Sequence, residues 1–156
     1  MEQIVEKQSS TTTEMITFYL GNALYGIDIL KVQEINKLMD WTPVPHSEEY
    51  VLGILSLRGS IVTILDLGKR LGTVDTQVIS SSRNIIVKSG IHCMGFLVDR
   101  IGDVVAIESE QICTAPANVN GIQGNFFNGV LRTDDELIAI LDIEELFKDS
   151  ETKIQN

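Results

Sequence analysis

The sequence predicts a mainly β protein made of two similar antiparallel modules that pack against each other. Short apolar runs typical of strands dominate the chain, Gly, Asn, Asp and Ser separate them, and one segment recurs in the second half. The chain has 156 residues, 44% of them hydrophobic, which suits one soluble domain or two very small ones. Neither module is large enough for a sizeable core, so we expect their interface to supply the missing burial.

Eight apolar runs are predicted strands, and the helical signals are few and short. The runs lie at 16–20, 25–27, 53–57, 61–65, 85–87, 94–98, 104–107 and 137–141. Apolar residues recur every third position from Ile29 to Leu38, a helical spacing. One-turn helices are expected after Asp66 and Asp142, because a carboxylate caps a first turn well. Glu145 stands three residues after Asp142, which predicts a capping box.

An internal repeat gives the organisation of the chain. Residues 53–71 align without a gap on 129–147, and five of the nineteen positions are identical. The identical pairs are Gly53/Gly129, Leu55/Leu131, Ile64/Ile140, Leu65/Leu141 and Asp66/Asp142. Each copy is predicted as strand, tight turn, strand and capped helical turn.

A fainter repeat relates 16–35 to 85–104 at an offset of 69 residues instead of 76. The second half therefore carries a longer connection, expected between Ala115 and Asn128. We predict one domain over 14–148, with a first β module at about 14–76 and a second at about 83–148. Residues 1–13 and 149–156 are predicted to be flexible tails.

Charge and hydropathy exclude several classes of function. Lys and Arg number 12 and Asp and Glu 22, so the formal net charge is −10, the wrong sign for binding nucleic acid or anionic lipid. No apolar run approaches the ~20 residues of a membrane helix, and the polar start does not resemble a secretion signal. We expect a cytoplasmic protein that does not insert into the membrane.

The residues offer little for catalysis, metal binding or cofactor binding. Cys93 and Cys113 lie far apart without histidines at ligand spacing, which predicts buried free thiols. His92 and Cys93 are neighbours on a predicted strand, so their side chains point to opposite faces. No phosphate-binding glycine motif occurs, and the acidic residues of the second half lack the order of a calcium loop. A small-ligand hydrolase that uses Cys93 or His92 is the remaining enzyme hypothesis.

A surface for docking another protein is the stronger functional prediction. Arg58-Gly59 falls at the turn between two apolar strands, where glycine supplies a positive φ and the arginine projects outward. Asp134-Asp135 occupies the matching turn of the second copy. Glu34 and the aliphatic Val32, expected to be exposed, would complete a charged patch with Arg58. The alternative is that Arg58 and Glu34 only keep the surface soluble.

Three ordered motifs resemble the CheW family of chemotaxis adaptors over about residues 14–148. They are YGIDILKVQEI at 25–35, GILSLRG at 53–59 followed by ILDL at 64–67, and LVDRIGDV at 97–104. Ser56 stands where the family usually has Asn, which affects the expected rigidity of the turn.

The resemblance implies two small five-stranded antiparallel β-barrels of SH3-like form around a shared core, with short helices. It also implies a non-catalytic adaptor, without cofactor, that couples the cytoplasmic tips of methyl-accepting chemoreceptors to the regulatory domain of the histidine kinase CheA at membrane-associated arrays. Val32, Glu34, Arg58 and Val104 are then expected to face the receptor, and the kinase-binding residues remain open. Two further questions also remain open: whether the halves exchange strands, and whether the adaptor serves another motility or signalling array.

Overall fold

A computed structural model describes residues 11–73 and 76–148, and most of them lie in β-strands. The strands are β1 (Thr12–Leu20), β2 (Ala23–Asp28), β3 (Val32–Lys37), β4 (Val51–Leu57), β5 (Ser60–Asp66), β6 (Arg83–Ser89), β7 (His92–Val98), β8 (Arg100–Glu108), β9 (Asn118–Val119), β10 (Ile122–Gln123), β11 (Phe127–Arg132) and β12 (Leu137–Leu141). Since β1 begins at Thr12, part of the predicted N-terminal tail belongs to the fold. The rest of both predicted tails lies outside the described residues.

Ten of these strands form two five-stranded sheets. The first sheet has the order β11-β12-β2-β1-β8 and the second the order β3-β6-β7-β5-β4. Pairing is antiparallel except between β12 and β2 and between β5 and β7, which are parallel. The prediction of antiparallel pairing was therefore wrong for one pair of strands in each sheet. Each sheet contains two neighbouring hairpins, and the strands that join one hairpin to the other run parallel.

The two halves of the chain exchange strands reciprocally. β3 follows the β1–β2 hairpin but pairs with β6 in the second sheet, and β8 follows the β6–β7 hairpin but pairs with β1 in the first. Each sheet thus combines strands from 14–76 and from 83–148, so the predicted module boundaries do not coincide with the sheets.

Each sheet closes into a barrel through a short bridge beyond its last strand. Thr42, downstream of β3, exchanges two backbone hydrogen bonds of 2.8 Å with Ile54 on β4. Cys113, downstream of β8, makes the same two bonds with Val130 on β11. Ile54 and Val130 are equivalent positions of the repeat. We call these the first barrel (with β1) and the second barrel (with β3), and the prediction of two five-stranded barrels is confirmed.

The closing bridges explain the glycines of the repeat. A Cβ on Gly53 would lie 2.5 Å from the Thr42 carbonyl oxygen, and one on Gly129 would lie 2.7 Å from that of Cys113. Only a residue without a side chain lets the bridging segment approach so closely.

The largest apolar cluster lies between the barrels, as predicted. It contains side chains of both sheets, among them Phe18 and Tyr25 of the first and Leu65 and Phe96 of the second. A smaller cluster fills each barrel, around Ile138 and Ile140 in the first and around Val62, Ile64 and Ile86 in the second. Most burial is therefore shared, so we expect the barrels to fold as one unit.

The predicted one-turn helices are present as α1 (Leu67–Leu71) and α2 (143–148). Asp66 accepts a hydrogen bond from the Lys69 amide at 3.1 Å, and Asp142 accepts from the Glu145 amide at 3.2 Å, as caps should. The prediction of a capping box was wrong, because the backbone amide of Asp142 donates to the Phe126 carbonyl and not to the Glu145 side chain.

The periodicity from Ile29 to Leu38 does not form a continuous helix. Only Ile29–Lys31 is helical, as a single 3-10 turn, and β3 follows it at once. Pairing with β6 in the other barrel overrides the local spacing, a tertiary constraint that the sequence pattern does not carry.

Candidate protein-docking site

Arg58 lies at the tip of the β4–β5 hairpin in a conformation that sequence reasoning assigned to glycine alone. Its φ is 53° and that of Gly59 is 84°, the pair of left-handed residues that a two-residue hairpin turn requires. The side chain is 71% exposed, so it projects outward as predicted.

The Arg58 side chain forms a salt bridge with Glu34 on β3. The Arg58 Nε donates to the Glu34 Oε1 at 2.8 Å, although β3 and β4 are the outer strands of the second sheet. The contact therefore spans the seam at which the sheet curls into the second barrel. The structure thus brings together two of the four predicted site residues.

Glu34 is held from both sides. The Asn36 amide donates to its Oε2 at 2.9 Å, while Arg58 occupies its Oε1. These hydrogen bonds from Asn36 and Arg58, with the positive charge of the arginine, lower the pKa of Glu34 from its ordinary 4.5. The Glu34 side chain is 18% exposed, so the carboxylate is ionised and fixed in direction at neutral pH.

The other two predicted residues do not extend the exposed surface around this pair. Val32 is half-buried against the shared core, opposite Val87, and is not the exposed aliphatic expected. Val104 is 54% exposed but lies on β8 of the first barrel, opposite Ile16. A partner that touches all four residues must span both barrels.

Two further residues of this surface were not found from the sequence. Asn36 lies two positions from Glu34 on the same strand and fixes its carboxylate. Ile61, three residues after Arg58, is 64% exposed beside Ser56. Period-two alternation from Glu34 would have identified Asn36, whereas an apolar residue in a strand gives no sign that it faces solvent.

The two residues of the hydrolase hypothesis, Cys93 and His92, do not share a face of β7. The Cys93 thiol donates to Gln33 at 3.4 Å and is half-buried, and His92 precedes it on β7 with its side chain on the other face. Cys113 is exposed, against the expectation of burial, because it belongs to the closing bridge at the rim of the first barrel. Within residues 11–73 and 76–148, no three His, Cys, Asp or Glu side chains are grouped so as to hold a metal ion.

Three acidic residues of the second half lie in two different environments. Asp134 and Asp135 are exposed in the β11–β12 turn, the counterpart of the Arg58 turn. Glu144 on α2 instead accepts from Lys31 at 3.0 Å and from Ser89 at 2.6 Å, and hydrogen bonds from Ser89 and Lys31 lower its pKa. This second network links α2 to the crossover into β3 and to the β6–β7 hairpin.

The sequence predicts no membrane-spanning helix, and the helices within residues 11–73 and 76–148 are all short. None has the length and apolar character needed to cross a bilayer.

Comparison with known proteins places this double barrel among domains of the CheW-like class. The family model described as CheW-like domain matches residues 14–151. The crystal structure of scaffolding protein TtCheW from Thermoanaerobacter tengcongensis is 34% identical, covers 88% of each chain and superposes with a TM-score of 0.80. The chain belongs to the CheW family.

Individual relatives agree with that assignment. The chemotaxis protein CheW of Treponema pallidum is 34% identical over 142 residues, which are 88% of this chain and 84% of the relative. The chemotaxis protein CheW of Klebsiella aerogenes is 32% identical over 138 residues, 88% of this chain and 83% of the relative.

Proposed function

We propose that this chain is a non-catalytic scaffold that joins chemoreceptors to the histidine kinase CheA in the cytoplasm, at receptor arrays. The family assignment supports this role, since relatives carry the names chemotaxis protein and scaffolding protein. The observation that carries the site assignment is the Arg58–Glu34 pair, which holds opposite charges on a surface turn beside the exposed Ile61. An apolar side chain beside oriented charges is the arrangement of a specific protein contact.

The patch formed by Arg58 and Glu34 is the proposed contact with the receptor tip. Arg58 has donors left over after its single bond to Glu34, because a guanidinium carries five. Val104 extends the contact to the first barrel, and Val32 contributes by holding β3 against the shared core. The CheA regulatory domain would bind elsewhere on the barrels.

Coupling then follows from simultaneous binding. If the receptor alters the affinity of the scaffold for the kinase, the kinase must alter its affinity for the receptor by the same factor. Micromolar contacts, about 8 kcal/mol each, suffice when an array supplies many of them.

The experiment is co-sedimentation of purified kinase with receptor-containing membranes in the presence of the scaffold. We expect the wild-type chain to bring kinase into the pellet and Arg58→Glu to bring much less. Arg132→Glu, which reverses another exposed arginine at the end of β11, is the matched control and is expected to behave as wild type. Arg132→Glu should alter stability by no more than about 0.5 kcal/mol, whereas Arg58→Glu also removes an exposed ion pair worth about 0–1 kcal/mol, so urea unfolding checks that both variants are folded.

A charge swap separates contact from scaffold stability. The double variant Glu34→Arg, Arg58→Glu keeps opposite charges at the two positions but reverses the field that a partner meets. Full recovery of co-sedimentation would mean that the pair is only structural and would remove the receptor assignment. Continued loss in a folded double variant supports direct recognition.

The same assay also distinguishes the alternative functions. Recruitment of an unrelated kinase in place of CheA would indicate an adaptor for another array. Cys93→Ala combined with His92→Ala is expected to retain full coupling, and loss of coupling in this folded variant would revive the hydrolase hypothesis.

A further inference from the structure

A buried asparagine inside the second barrel makes no hydrogen bonds with its side chain. Asn84 on β6 is 0% exposed, and within the described chain neither its Oδ1 nor its Nδ2 has a partner. The next three residues, 85–87, are buried aliphatic side chains. Burial of an unpaired amide is destabilising, whereas another aliphatic residue would be favourable there. Such a group calls for an explanation.

The strand register places Asn84 next to the proposed receptor site. Asn84 lies directly opposite Asn36 in the β3–β6 pair, and Ile86 lies opposite Glu34. Directly opposed residues point to one side of an antiparallel pair with Cβ atoms about 5 Å apart. Ile86 belongs to the cluster inside the second barrel, so this is the inner face.

These positions form a polar series that runs from solvent into the barrel. Arg58 at the surface binds Glu34, and Glu34 binds Asn36. Asn36 is then the neighbour of the buried and unpaired Asn84. Two carboxamides at this separation can form a reciprocal pair, because each has a donor and an acceptor.

We propose that Asn84 is the alternate hydrogen-bond partner of Asn36 and that both are positioning residues for Glu34. In the free chain Asn36 donates to Glu34, and Asn84 is unpaired. When a docked partner takes the Glu34 carboxylate, Asn36 turns inward and pairs with Asn84. The hydrogen bond lost at the surface is thereby replaced inside the barrel, so engagement of Glu34 is linked to the packing of the second barrel.

The link to docking rests on the proposed function, but the exchange of partners can be tested without any binding partner. Glu34→Ala removes the acceptor of Asn36 and leaves the backbone of β3 in place. In nuclear magnetic resonance spectra, we expect the Overhauser effect between the side-chain amide protons of Asn36 and Asn84 to be stronger, and the exchange of these protons slower, in this variant than in wild type. The signals are assigned by their loss in Asn36→Ala and Asn84→Leu.

The same exchange predicts an energetic coupling between Glu34 and Asn84, two residues whose side chains share no hydrogen bond. In urea unfolding, Glu34→Ala should lower the midpoint more in an Asn84→Leu background than in wild type, because the released Asn36 then has no second partner. Asn84→Val, which also lacks an amide, gives a second background if the leucine is too large to fold.

Equal effects of Glu34→Ala in both backgrounds, or an Overhauser effect that is no stronger in the Glu34→Ala variant than in wild type, would overturn the proposal. The scaffold function would survive either result, since it depends on Glu34 and Arg58 and not on Asn84. Conversely, loss of the receptor assignment would leave the exchange between Asn36 and Asn84 intact. The two hypotheses therefore fail separately.

Discussion

Replacement of Gly53 by alanine should open the second barrel at its closing bridge. The added methyl carbon would stand 2.5 Å from the Thr42 carbonyl oxygen and 2.8 Å from the Trp41 ring. Carbon–oxygen contacts shorter than about 3.3 Å are not tolerated, so the Thr42 backbone must retreat by roughly 0.8 Å. Both bridging hydrogen bonds, now 2.8 Å long, would then exceed the range of a hydrogen bond.

The expected loss follows from those two bonds. Each backbone hydrogen bond contributes about 0.5–1.5 kcal/mol net, so the free energy of unfolding should fall by about 2 kcal/mol. For a domain of this size that lowers the melting temperature by roughly 4–8 °C. Urea unfolding followed by circular dichroism measures the loss, and hydrogen exchange at the Thr42 and Ile54 amides locates it.

Gly26→Ala is the matched control within the same fold. There the nearest atom to the new methyl group would be the Cγ2 of Ile138 at 3.3 Å, a side-chain atom that can move. If Gly53→Ala were no more destabilising than Gly26→Ala, or if the Thr42 and Ile54 amides stayed protected, the bridge would not be what closes the barrel.

Three further predictions concern charge, core and thiols. The pKa of Glu34 is lower in the folded chain than its ordinary value of 4.5, so the ionised carboxylate stabilises the fold above about that pH, and this contribution is lost as pH falls through the folded pKa. Urea midpoints should therefore fall less steeply with decreasing pH for Glu34→Gln than for wild type, and an unchanged slope would contradict the assignment. Leu146→Ala, in the shared core, should destabilise by about 2–5 kcal/mol, whereas the control Leu30→Ala, at a residue 81% exposed, should change stability by less than about 0.5 kcal/mol. A thiol reagent should modify Cys113 in the native protein faster than the half-buried Cys93, and equal rates would show that the bridge shields Cys113.

The sequence predicted the repeating parts of the fold well, because the repeat records equivalent positions in space. Gly26 and Gly95 correspond in the repeat with an offset of 69 residues, and Ile64 and Ile140 in the repeat with an offset of 76. In the structure Gly26 lies opposite Ile140 and Gly95 lies opposite Ile64. The caps at Asp66 and Asp142 were predictable because an N-cap depends on only a few neighbouring residues.

What the sequence could not predict depends on pairing between distant segments. A repeat of strand, turn and strand is compatible with β3 and β8 staying in their own halves, and only the registers show that they cross. The same limit hid the burial of Val32, which depends on the crossover, and the contact of Arg58 with Glu34, which depends on where the Arg58 turn meets β3. Cys113 was misjudged because a thiol at a barrel rim has the same local sequence as one in a core.

The reciprocal crossing of β3 and β8 also determines what kind of movement the molecule allows. Each barrel holds a strand whose covalent neighbours belong to the other, and neither can swing or rotate without tearing a full edge of hydrogen bonds from its counterpart. A single cut in the polypeptide between the halves would therefore leave two interlocked fragments instead of two separable ones. The double crossing thus opposes a hinge motion between the barrels, and we expect any coupling between distant surfaces to run through changes in side-chain contacts.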